Sequence, residues 1–159
     1  MSGFLYMTKQ IIGVIGSGKD EASLMSIAEE VGRLIAQKGA HLVCGGLGGV
    51  MEAASKGAKA AGGTTIGILP HDTREKANPY IDVPIATGFG EGRNIIIIRT
   101  ADVLIAIGGE YGTLSEIAFA LRMGKSVIGV NTWDIQGIIQ AAAPGAAVDK
   151  AFELMKQRD

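Results

Sequence analysis

The strongest constraint in this sequence is an alternation of two patterns. Short, largely apolar runs, three of them followed directly by glycine, take turns with longer stretches whose apolar residues recur every three or four positions. The runs cover residues 10–15, 40–44, 64–69, 102–107 and 125–130. They are too short for helices and apolar on both faces, which predicts strands buried on both sides. Between the first two, Leu24, Ile27, Ala28, Val31, Leu34 and Ile35 mark one face of a helix, with Asp20 as N-cap and Gly39 as its stop.

The same logic predicts helices over 50–61 and 113–123, and one or two more at the end of the chain. Residues 81–86 read as an edge or short strand, because Pro84 has no N–H for a central ladder. Residues 71–79 form the one long polar loop. Four consecutive isoleucines, Ile95–Ile98, favour a strand by propensity. A strand there would leave almost no connection before the run at 102, so 91–100 is predicted as helix. A β-α-β-α order with apolar strands implies a doubly wound α/β fold, a mostly parallel sheet with helices on both faces. The 159 residues suffice for one domain, assigned to 10–159 behind an N-terminal extension, 1–9.

Composition excludes several function classes. With 47% hydrophobic and 19% charged residues the chain is neither a coiled coil nor disordered. Net charge is −1 with no basic stripe, so no nucleic-acid partner is expected. One cysteine, Cys44, forbids an intramolecular disulfide and fits a reducing compartment. His41 and His71 lack metal-ligand spacing, so no metal site is expected, and His41 reads as structural. Phe4–Met7 is too short for a signal peptide, and no run reaches the roughly 18–20 apolar residues of a membrane span. A cytoplasmic protein is the expectation.

Glycine is the anomaly, with 24 residues expected mainly in turns. Thirteen fall in four clusters, 13/16/18, 45/46/48/49, 88/90/92 and 108/109/112, each at or near a predicted strand end. In doubly wound sheets ligands bind beyond the carboxyl ends of strands, where strand order reverses. The first cluster, Gly13 to Lys19, fits seven of eight positions of a phosphate loop, but Asp20 stands where Ser or Thr would hold magnesium. As a dinucleotide fingerprint it lacks its third glycine, replaced by Glu21. What remains is a tight turn through Gly16, Ser17 and Gly18 whose N–H groups can face an anion.

Gly45, Gly46, Gly48 and Gly49 open the next helix, with Met51 in its first turn. They suit either a ligand near the backbone or close strand–helix packing. Gly108, Gly109, Tyr111, Gly112 and Thr113 lead into a helix as a phosphate cradle, with Glu116 near the same opening and Arg93 and Asn94 one element earlier. A phosphate binder, an arginine and a carboxylate together suit an anionic, sugar-bearing ligand. Thr113 and Glu116 also have the spacing of a capping box. Trp133 reads as packing or a dimer contact, and the methionines as core.

The stretch from Cys44-Gly-Gly-Leu-Gly-Gly-Val-Met to Pro70 resembles the first motif of the LOG-like, lysine-decarboxylase-like Rossmann-type proteins. Their second motif is Arg-Lys, a strand, then Pro-Gly-Gly-x-Gly-Thr-x-x-Glu. Here Arg93 matches the arginine, while Gly112, Thr113 and Glu116 match its end. Asn94 replaces the lysine, and Gly108-Gly109-Glu110 replaces Pro-Gly-Gly, adding a carboxylate beside the phosphate turn. The resemblance implies two functions. One is hydrolysis of a nucleoside 5′-monophosphate to base and ribose 5-phosphate, with Arg93 and Glu116 catalytic. The other, from the molybdenum cofactor carrier branch, is binding of a phosphate-bearing pterin without turnover. Binding as a carrier or sensor is the primary expectation, with an AMP-like nucleotide or molybdopterin-type ligand, no required cofactor and a homodimer. Lysine decarboxylation is not expected, since nothing marks a Schiff-base lysine.

Overall fold

A computed structural model describes residues 8–157. Most of the 1–9 extension, including Phe4–Met7, therefore lies outside the described residues. Seven strands form one sheet: β1 (Ile11–Gly16), β2 (His41–Cys44), β3 (Thr65–Leu69), β4 (Val83–Ala86), β5 (Val103–Ile107), β6 (Val127–Val130) and β7 (Ile139–Gln140). Their order is β4-β3-β2-β1-β5-β6-β7, and every neighbouring pair is parallel. The α/β expectation holds. The chain builds outward from β1 in one direction, then returns to its other side with β5, so strand order reverses between β1 and β5.

Helices α1 (Ala22–Gln37), α2 (Val50–Ala60) and α5 (Pro144–Lys156) cover one face, packing Val31, Ile35, Ala54 and Val148 on Ile12, Val14, Leu42 and Ile105. Helices α3 (Arg93–Thr100) and α4 (Tyr111–Arg122) cover the other, with Ile97, Ile98 and Ile117 on Ile15, Val43 and Leu104. Alternate residues of β1 and β5 thus enter opposite cores, which is why their runs are apolar without a break. The four isoleucines are helical, as connection length requires. Pro84 lies on the edge strand β4, opposite Gly67.

Several local expectations are corrected. Glu21, not Asp20, precedes α1, and its side chain makes no capping bond. Helix α4 starts at Tyr111 with Glu110 as N-cap, so Thr113 lies inside the helix and the capping box does not form. The two-residue β7 precedes α5, where only helix was expected. Nor are the glycines all in turns. Gly32 in α1 and Gly57 in α2 sit where the helices meet backbone to backbone. A Cβ on Gly57 would lie 1.9 Å from the Glu29 carbonyl oxygen, and one on Gly32 equally near that of Ala54. The polar loop is also anchored. Asn78, buried, donates from Nδ2 to Leu47 O at 2.9 Å, and its N–H donates to Gly46 O at 2.9 Å. That loop therefore braces the glycine turn after β2.

Candidate functional site

All strands being parallel, their carboxyl ends and the following glycine turns share one edge. At the β1/β5 reversal this edge holds a cavity of about 340 Å³. Its floor is the end of β1, Val14 to Gly16, continued by Ser17, Gly18 and Lys19. One wall is Gly45 and Met51 with Arg93, Asn94 and Ile97 of α3; the other is Glu110, Gly112, Thr113 and Glu116 of the β5–α4 segment. Glu91 completes the lining. Of the sequence candidates, Tyr111 lies at the surface, 80% exposed, and Gly46, Gly48, Gly49, Gly108 and Gly109 also lie outside this lining.

The reason is local packing. Gly49 has φ +65°, and a Cβ there would lie 2.3 Å from the Ser17 carbonyl oxygen. The first N–H of α2, on Val50, donates to that same oxygen at 2.8 Å. So the α2 N-terminus is partly occupied by the β1 loop, and the packing alternative accounts for Gly49. The α4 N-terminus differs. There Gly112 and Thr113, in the first turn, line the cavity, where N–H groups lack intrahelical partners.

Arg93 is the organising side chain. It is only 9% exposed, and its Nε donates to Ile68 O at 2.9 Å. One terminal nitrogen donates to Gly45 O at 3.5 Å and the other to Asn94 Oδ1. A Cβ on residue 45 would lie 2.7 Å from that guanidinium, so Gly45 is the seat for the arginine. The fork is thus committed largely to the ends of β2 and β3. Asn94 orients it instead of adding a second cation. Burial lowers the Arg93 pKa, while Glu116, Cys44 and Glu91 oppose that shift.

Glu116 carries the main electrostatic anomaly. Burial pushes its pKa up to about 7; Arg93 restrains the rise and Glu91 adds to it. Near neutral pH the site therefore holds a carboxyl group able to give or take a proton. The shift has a consequence for stability. Between its ordinary 4.5 and about 7, the folded chain keeps a proton on Glu116 that the unfolded chain releases. Stability should therefore fall as pH rises through this window, by up to about 3 kcal/mol. Urea unfolding from pH 5 to 8 checks this, because Glu116→Gln should flatten that part of the profile. An unchanged slope in the variant would contradict the assignment.

Six lining residues escaped the sequence candidates: the apolar Val14, Ile15 and Ile97, and the charged Lys19, Glu91 and Glu110. Lys19 was legible only as part of a phosphate-loop pattern that failed on Asp20, and Glu91 had no motif at all. Cys44 lies beneath the site, fully buried, with its Sγ accepting from Gly46 N–H at 3.4 Å and 3.6 Å from Ser55 Oγ. Burial raises its pKa, which keeps the thiol protonated and unsuited to nucleophilic work. Trp133 packs on the α3/α4 core, and its Nε1 donates to Glu110 O at 3.1 Å.

Known proteins match this chain over most of its length. An uncharacterized protein of Archaeoglobus fulgidus is 53% identical over 116 residues, covering 73% of this chain and 76% of that protein. A cytokinin riboside 5′-monophosphate phosphoribohydrolase of Mycobacterium tuberculosis is 36% identical over 122 residues, covering 70% of this chain and 65% of the enzyme. The matched region thus spans just under two thirds of that enzyme. The molybdenum cofactor carrier protein of Chlamydomonas reinhardtii superposes with a TM-score of 0.87 at 37% identity, over 94% of this chain and 99% of that one. The molybdenum cofactor binding protein of Rippkaea orientalis gives 0.85 at 39% identity, over 96% and 98%. Among the described residues no helix is long and apolar enough to cross a membrane. The SLOG cluster4 family model matches residues 9–156, and the chain belongs to that family, in the LOG-like Rossmann-type superfamily near the molybdenum cofactor carriers.

Proposed function

We propose that this protein binds a nucleotide or similar phosphorylated ligand at the carboxyl edge of its sheet, as a carrier or sensor that does not turn it over. The immobilised Arg93 carries this reading. Its guanidinium bonds to the Ile68 and Gly45 carbonyls and to Asn94. A fixed charge of that kind shapes a cradle, and few of its donors remain to follow a leaving group. The α4 N-terminus at Gly112 and Thr113 would receive the phosphate. A ring system, whether purine or pterin, would extend along Met51 and Ile97, the apolar part of the lining. The solved carrier and binding proteins of the molybdenum cofactor support this reading through their coverage of nearly the whole chain.

One observation favours a second reading, phosphoribohydrolysis of a nucleoside 5′-monophosphate. Glu116, with a pKa near 7, is suited to proton transfer or to stabilising an oxocarbenium-like centre at the sugar. A single experiment separates the two. The purified chain is incubated with AMP and adenine release is followed, while native mass spectrometry records any ligand retained through purification. The carrier reading expects a retained phosphorylated ligand and no adenine. Adenine release that Glu116→Gln abolishes, falling at least about 100-fold, would replace it with the hydrolase.

A further inference from the structure

Two charged side chains meet across the mouth of the cavity. Lys19, on the loop after β1, places its Nζ 2.6 Å from Oε1 of Glu110, the N-cap of α4. The pair spans the two strands between which order reverses. Both side chains are open to solvent, at 69% and 65% exposure. Lys19 and Arg93 are the cations of the lining, against the carboxyl groups of Glu91, Glu110 and Glu116. Since Arg93 is tied to carbonyls, Lys19 is the lining cation held at its tip by a side chain in solvent.

We propose that Lys19 is the phosphate-selecting residue of this site and Glu110 its resident competitor: an entering phosphomonoester dianion draws the ammonium off Glu110 onto itself. This rests on the reading that the cavity takes a phosphorylated ligand. Both backbones are held, that of Lys19 by its N–H donating to Ser17 Oγ and its carbonyl accepting from Glu21 N–H, each at 3.1 Å. The direction of the exchange therefore comes from the longer lysine stem. Glu110 is pinned through its carbonyl, which accepts Trp133 Nε1 at 3.1 Å and Leu114 N–H at 3.0 Å. Its neighbour Tyr111 lies against the same tryptophan, with ring centroids 5.9 Å apart and planes tilted by 31°. Lys19 follows Gly18 and ends a flexible four-carbon stem. An exposed ion pair contributes little to stability, so breaking it costs little. A phosphate dianion offers more charge and three acceptor oxygens, and it outcompetes one carboxylate for the same ammonium. Glu110 then remains beside the bound dianion and repels it. The affinity of the site for phosphate is therefore set by a residue that need not touch the ligand.

Isothermal titration calorimetry on the full chain, with inorganic phosphate, AMP and uncharged adenosine as probes, tests the exchange. Glu110→Gln should bind phosphate and AMP about fivefold more tightly, and Lys19→Ala about tenfold more weakly, with the larger effects at low salt. Neither change should alter adenosine binding. The gain from Glu110→Gln should shrink when Lys19 is also replaced, because the competition acts through that lysine. Binding of phosphate and AMP that is indifferent to both substitutions would overturn the exchange alone. Failure of the wild type and of Glu110→Gln to bind either probe would overturn the phosphate-site reading with it. Equal effects on AMP and adenosine would show that the pair shapes the pocket rather than selecting charge.

Discussion

Arg93→Ala is expected to cost about 3 kcal/mol of stability and to abolish ligand binding together. The truncation leaves the carbonyls of Ile68 and Gly45 without their donor at the ends of β3 and β2. It also removes the positive charge that restrains the pKa of Glu116, so that carboxyl should stay protonated to higher pH. Arg93→Lys should recover little. An ammonium is a point charge and does not reproduce a planar fork reaching two carbonyls and Asn94. Chemical denaturation of both variants at pH 7 measures the first effect, and titration of Glu116 by carbon-detected NMR measures the second. An alanine variant with wild-type stability would show that the arginine serves the ligand and not the fold.

A comparable loss is expected far from the cavity. Gly57→Val should destabilise the chain by about 3 kcal/mol, at the upper end of overpacking costs. A side chain there drives into the Glu29 carbonyl of the facing helix, and backbone yields only if α1 moves off α2. Gly145→Ala is the control. It lies in α5 with nothing within 4 Å of the added carbon, and should be neutral or stabilising by up to about 1 kcal/mol. Thermal unfolding of the two variants decides the matter, since equal midpoints would mean the α1–α2 contact is easily relaxed.

These two sites show which parts of the chain were legible. The five central strands were, because burial on both faces of a sheet leaves no polar position, and runs such as Val103–Ile107 carry that signature. The exposed edge β4 was read through Pro84, and the two-residue β7 was missed. Helix α3 was legible only through chain length, against the strand preference of its isoleucines. Helix starts were read less well. Asp20 and Thr113 have the chemistry of caps, yet the helices start at Ala22 and Tyr111 without any side-chain cap. In those first turns Leu24 and Thr113 instead lie against Gly108 and Gly109, just after β5. Glycine misled in part, since the same residue type serves a turn at Gly49, an arginine's seat at Gly45 and a helix contact at Gly57. Nothing in one-dimensional spacing separates a missing side chain that admits a ligand from one that admits a neighbouring backbone.

Apolar periodicity and the placement of glycine specify the class of fold, the edge on which the glycine turns gather, and the arginine and glutamate that meet there. Hydrophobic periodicity and turn chemistry are local, and they suffice for that much. The tertiary structure alone decided that strand order reverses between β1 and β5, and hence which of the four glycine turns surround a cavity. It also decided that Arg93 spends its donors on carbonyls, that Glu116 is buried enough to hold a proton near pH 7, and that Lys19 meets Glu110, 91 residues away. Charge and hydrogen-bonding depend on distance and desolvation in space, and neither is encoded by spacing along the chain.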